Sequence, residues 1–262
     1  MDIYEYELLE KLADNNDLYG MRRILDSYLD NRIEKPKVKI NKKKILKYLN
    51  HLIQCNESNA MLALGALYYT GDDGIVPQDF AKAEYWYAKA AEPTTSFFDS
   101  HYNSQAMTNL GYIYYYGRTN TPDFEKAFYC YAKAACMGHP NAMYKIGDMY
   151  KNGLFVAKNE DKAFHWYQEA WHCLTDVYYG DDDIEDSDDD YQFASTALRL
   201  GESYLYGVGT DISLSEAEKY LKIAKKRFNK LKKIKYTHWI IEGPLNTVTE
   251  LLGKLRVLIK KE

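Results

Sequence analysis

Apolar positions recur along this chain in blocks that copy one another. NLGYIYYYG (109–117) returns as KIGDMYKNG (145–153), and KAFYCYAKAA (126–135) returns as KAFHWYQEAW (162–171), both at an offset of 36 residues. Two outer copies complete the set: ALGALYYTG (63–71) with KAEYWYAKAA (82–91), and RLGESYLYG (199–207) with EAEKYLKIAK (216–225). A period of this length predicts a solenoid of stacked helix pairs, in which one unit cannot bury its apolar face alone.

Each repeat has a first and a second helix, and the central glycine of the first (Gly65, Gly111, Gly147, Gly201) serves as position zero. Positions −5, −1 and +3 lie four apart and predict one buried stripe. Position −1 is Leu64, Leu110, Ile146 and Leu200; position +3 is Tyr68, Tyr114, Tyr150 and Tyr204. A mid-helix glycine costs about 1 kcal/mol relative to alanine, so its recurrence predicts close approach of the second helix. Position +6 is glycine in all four copies, where a left-handed cap belongs. The second helix carries a small residue (Ala83, Ala127, Ala163, Ala217), then Trp86-Tyr87, Cys130-Tyr131, Trp166-Tyr167 and Tyr220-Leu221. That stripe could stack sugars or bases, but recurrence in register marks it as core, small against large.

Before the array, Ile3 to Ala13 and Leu18 to Asp30 read as helices, with Asp17 as N-cap of the second. A third, Lys42 to Gln54, capped by Asn41, has Ile45, Leu46, Leu49, Leu52 and Ile53 as its apolar face and fits as a degenerate half repeat. After the array, Gly243-Pro244 is expected to break the chain, and Leu245 to Ile259 to form a terminal capping helix.

These residues resemble the Sel-1-like repeat family, a branch of the tetratricopeptide-type solenoids. AMYKIGDMYKNG followed by KAFHWYQEAW follows the family pattern closely; the fourth copy departs from it with Thr196 and with Lys219-Tyr220-Leu221. The resemblance covers about residues 42 to 225. It implies an all-α, right-handed superhelix of antiparallel helix pairs that binds proteins, with no catalytic residue and no cofactor. The expected organisation is a helical cap and basic connector (1–41), a half repeat plus four repeats (42–225), and C-terminal capping helices (226–262).

Spacing locates two insertions, near 92–104 and 174–193. The first includes Pro93 and Phe97-Phe98 and reads as a loop. The second holds GDDDIEDSDDD (180–190), eight acids among eleven residues. Two stretches are basic instead: 32–47 with eight Lys/Arg, and 219–235 with nine and no acid. Net charge is −4, which argues against general affinity for nucleic acid or membranes, and the basic runs read as solvated helix faces. No run approaches the roughly 18 apolar residues of a membrane span. MDIYEYELLEKL places acids where a secretory signal carries bases, and the four cysteines lack the spacing of a disulfide framework. A cytoplasmic protein with reduced thiols is expected.

Candidate chemistry is sparse. Cys130, Cys136, His139, His165, His172 and Cys173 lack zinc-ligand spacing, and the acidic insertion lacks an EF-hand's alternating ligands and mid-loop glycine. No GxSxG, HExxH, GxxxxGK[ST] or GxGxxG sequence occurs, so no metal site, cofactor or enzymatic role is expected.

First-helix positions −2, +1, +2 and +5 vary among copies and share one face at i, i+3, i+4, i+7 spacing. Ala63, Ala66, Leu67 and Thr70 occupy it in the first repeat; Asn109, Tyr112, Ile113 and Tyr116 in the second; Lys145, Asp148, Met149 and Asn152 in the third; Arg199, Glu202, Ser203 and Tyr206 in the fourth. First helices line the concave face in the family resembled, so this face is the expected surface for a partner protein or peptide. Two roles fit: an adaptor within an assembly, or an inhibitor such as an immunity protein neutralising a cognate, possibly basic, toxin.

Overall fold

The computed structural model describes residues 3–31, 40–72, 74–92, 99–175, 190–232 and 238–260. Phe97-Phe98, most of the acidic insertion and the first half of the basic connector lie outside them. The described residues form twelve helices and no strand beyond an isolated bridge between Asp72 and Val76. The helices are α1 (Ile3–Asp14), α2 (Leu18–Asn31), α3 (Lys42–Gln54), α4 (Ser58–Thr70), α5 (Phe80–Ala90), α6 (Asp99–Tyr115) and α7 (Phe124–Cys136). They continue with α8 (Pro140–Asn152), α9 (Glu160–His172), α10 (Asp190–Tyr206), α11 (Leu214–Leu231) and α12 (His238–Ile259). The chain divides into two compact units, Met1–Ala127 and Phe128–Glu262.

In the first unit, α1 to α4 share one core that includes Leu9, Met21, Ile24, Ile45, Leu49, Leu64 and Leu67. The predicted caps form: Asp17 Oδ1 accepts from the Gly20 amide at 2.7 Å, and Asn41 Oδ1 from the Lys43 amide at 3.2 Å. Lysines of the basic connector's second half are tied to acids of this unit, Lys42 to Asp72 at 2.6 Å and Lys44 to Asp14 at 2.6 Å. The first insertion is not all loop. Its end, from Asp99, lengthens α6, and Asn103 there donates to the carbonyls of Ala90 (2.8 Å) and Glu92 (2.7 Å). Those bonds satisfy carbonyls that the end of α5 leaves open.

In the second unit, α10, α11 and α12 share a core of Leu198, Leu205, Leu221, Phe228, Ile241, Val248 and Leu251. The break expected at Gly243-Pro244 does not occur: α12 begins at His238 and continues through Pro244. Proline there removes one N–H and so one helical bond, to the carbonyl of residue 240. Buried Ile241 before it and Leu245 and Val248 after it pack into the same core, which holds the helix on both sides.

Candidate protein-interaction surface

A backbone clip sets the two helices of every repeat. The amide of the residue capping the second helix donates to the carbonyl of the +3 tyrosine: Asp79 to Tyr68 (2.8 Å), Asp123 to Tyr114 (2.9 Å), Asn159 to Tyr150 (2.9 Å) and Ser213 to Tyr204 (2.9 Å). The same side chains cap that helix by accepting from the amides of Lys82, Lys126, Lys162 and Glu216. In the first three repeats that lysine also lies over the tyrosine ring, at 5.2, 5.5 and 5.3 Å from its centroid. The fourth repeat has Glu216 instead. This cap residue, Asp, Asn or Ser three before the Lys/Glu, went unread in the sequence although its type and position are the usual capping signal.

The clip leaves the +3 tyrosines half-buried, and the stripe that is buried throughout runs −5, −1, +2. Leu67, Ile113, Met149 and Ser203, all at +2, are buried. Ile113 and Met149 are therefore corrected from the expected partner face to the core. The reason is angular: +2 lies about 60° from −1 and about 20° from −5 on a helix of 3.6 residues per turn, closer to the stripe's centre than +3.

Positions −2 and +1 behave differently in the second and third repeats. In the second unit Lys145 and Asp148 are buried, a further correction to the exposed face expected there. Arg199, at −2 of the fourth repeat, grips Asp148, at +1 of the third, through Nε and Nη2 at 3.0 Å each. Tyr167 Oη also donates to Asp148 at 3.0 Å, and Lys145 Nζ lies 3.9 Å away. Burial alone would raise the Asp148 carboxyl pKa; the Arg199 charge and hydrogen bonds, with Lys145 and Tyr167, outweigh it and hold it below the ordinary range. Lys151 and Glu202 make a second bridge at 2.8 Å. These variable positions join neighbouring repeats. Asn152 and Tyr206, at +5, remain exposed.

In the second repeat the same face stays partly open. Asn109 and Tyr112 are half-buried, and Tyr116 is 48% exposed. The rings of Tyr112 and Tyr116 stack with centroids 6.2 Å apart and 9° between planes. Arg118 places its guanidinium 5.4 Å from the Tyr116 ring, 5.6 Å from Phe80 and 6.0 Å from Tyr69, and its Nε donates to Tyr69 Oη at 3.3 Å. Arg118 was missed because it lies beyond the helix, one residue past the +6 glycine.

Among the described residues no three His, Cys, Asp or Glu side chains are placed to hold a metal ion, and no helix is long and apolar enough to cross a membrane. The Sel1 repeat model matches residues 58–92, 104–139, 140–170 and 194–227. The chain belongs to the Sel1 repeat family. Sel1 repeats generally serve as protein-interaction scaffolds. Solved Sel1-type structures share the fold: a Sel1 repeat protein from Oxalobacter formigenes superposes with a TM-score of 0.61 at 21% identity, covering 98% of this chain and 99% of that one. The protective antigen c5321 of uropathogenic Escherichia coli, with an SLR fold, gives 0.53 at 19% identity over 97% of this chain and 62% of the other. In sequence, this Sel1 repeat protein is 30% identical over 111 residues to the chitin synthase regulator SKT5 of Saccharomyces cerevisiae. That match spans 41% of the chain but 14% of SKT5.

Proposed function

We propose that the chain is an adaptor that holds a partner protein or peptide on the aromatic strip formed by Tyr112, Tyr116 and Arg118, with Asn109 at its inner end. The stacked, half-exposed tyrosine pair, with a guanidinium over the Tyr116 ring, carries this reading. Tyrosine and arginine concentrate at binding hot spots because they offer large contact area and directed hydrogen bonds for little rotamer entropy. The strip is already ordered by its own ring contacts, so a partner need not pay to organise it.

The test is copurification from native cells with the intact chain and with Tyr112→Ala/Tyr116→Ala. Loss of the same partner from the double variant, with the melting temperature nearly unchanged, supports the assignment. A variant that retains the partner overturns it, and one that melts early shows that the rings serve the core.

A further inference from the structure

Basic side chains gather in the second unit where α11 meets α12. A groove of about 280 Å³ opens there, lined by Lys222, Lys225, Lys226 and Arg256, with the edge of Leu252 in its wall. One carboxylate, Glu218, also lines it, bonded to Lys222 at 2.9 Å. Four basic side chains and one carboxylate thus line this groove, on a chain whose net charge is −4.

The same helix already captures a carboxylate elsewhere. Asp190 is buried between Arg227 Nη1 at 2.6 Å and Lys230 Nζ at 3.0 Å, and the Arg227 guanidinium carbon lies over the Phe193 ring, 4.1 Å from its centroid. Arg227 and Lys230 do not line the groove, which Lys222, Lys225, Lys226 and Arg256 do.

We propose that this groove docks an acidic segment of a partner protein, a second binding surface that does not depend on the aromatic strip. The cations select carboxylates, and the Leu252 wall takes an apolar side chain between them. Nucleic acid fits less well, since no aromatic ring lines the groove for a base to stack on. A lipid surface also fits less well: a concave groove between two helices suits a single chain segment, although Val257 and Leu258 are exposed further along α12.

The experiment measures fluorescence anisotropy of a labelled Glu-rich peptide with spaced leucines against the full chain. Parallel arms use the same peptide with Lys for Glu, an oligo-dT strand, and phosphatidylserine vesicles. Expected is binding of the acidic peptide alone, weakened by salt and by about tenfold or more in Lys225→Glu/Arg256→Glu. If that pair of changes lowers the melting temperature, Lys225→Gln/Arg256→Gln supplies the same readout. Tyr112→Ala/Tyr116→Ala should bind the peptide as the wild type does, which separates this site from the strip. Equal binding by the groove variants, loss of binding in the tyrosine variant, or tighter capture of oligo-dT or vesicles would overturn the proposal. So would binding that appears only after deletion of residues 181–189, which would assign the groove to the chain's own acids.

Discussion

Gly147 lies so close to Tyr167 that a methyl group on the glycine would sit 2.5 Å from the ring's Cε1 and 2.7 Å from Cδ1. Gly65 stands in the same relation to Tyr87, and Gly201 to Leu221. Helix packing in these repeats is thus set by glycine against one large side chain of the second helix.

Tyr167 cannot retreat, because its ring is fully buried and its hydroxyl is held by Asp148. Gly147→Ala should therefore destabilise the fold by about 1–3 kcal/mol despite alanine's better helix propensity. Gly253, in α12, faces open space, and there the same change should stabilise by about 0.5–1 kcal/mol. Urea unfolding of both variants checks the pair; Gly147→Ala as stable as wild type would contradict the packing relation.

Arg199→Met leaves the Asp148 carboxylate buried without its main partner, and should cost about 3 kcal/mol or more at neutral pH. The wild-type carboxyl is held below its ordinary value, so its contribution is present above about pH 4 and lost as pH falls through the lower folded value. In the variant, burial pushes the same carboxyl up, and protonation relieves it as pH falls. The stability gap should thus narrow between neutral pH and about pH 3. A gap unchanged in melts across that range would show that the pair is not the cause.

The fold was legible because its signals are local. The bounds of α3 and its Asn41 cap, and the glycine contacts at positions 65, 147 and 201, all follow from residues within one helix pair. The face was less legible. Variation among copies suggested freedom at −2 and +1, but Asp148 differs from its counterparts because Arg199, 51 residues on, needs it. Spacing within one helix cannot show such a pairing. Pro244 was misread for a similar reason, since the α12 side chains that hold the helix are buried against other helices.

Thiol accessibility should follow burial. Cys55 and Cys136 are exposed and should react first with a thiol reagent in the native protein. Cys173 should lag: burial, with the nearby Glu169 charge, pushes its thiol up, and Sγ donates to the Gly138 carbonyl at 3.1 Å. Only the thiolate attacks, so all four should react alike once the chain is denatured. Prompt native labelling of Cys173 would contradict its placement.

Phe155 holds φ at +64°, a left-handed conformation costing roughly 1–2 kcal/mol for a residue with a side chain. It stands eight residues after Gly147; the fourth repeat has Gly209 at that place, with φ +68°. There a side chain is barred, because a Cβ would lie 2.1 Å from the Glu160 carbonyl oxygen. In the third repeat the ring instead lies against Phe128 at 5.6 Å and Tyr129 at 5.9 Å. These contacts offset the backbone cost. Phe155→Ala loses the contacts and keeps the strain, whereas Phe155→Gly loses the contacts and removes it. Glycine should therefore be the more stable of the two by about 1 kcal/mol, the reverse of their order in an ordinary loop. Chemical denaturation of both variants measures the difference directly. Alanine equal to or better than glycine would mean that the backbone at 155 is unstrained, and that Phe155 owes its place to ring packing alone.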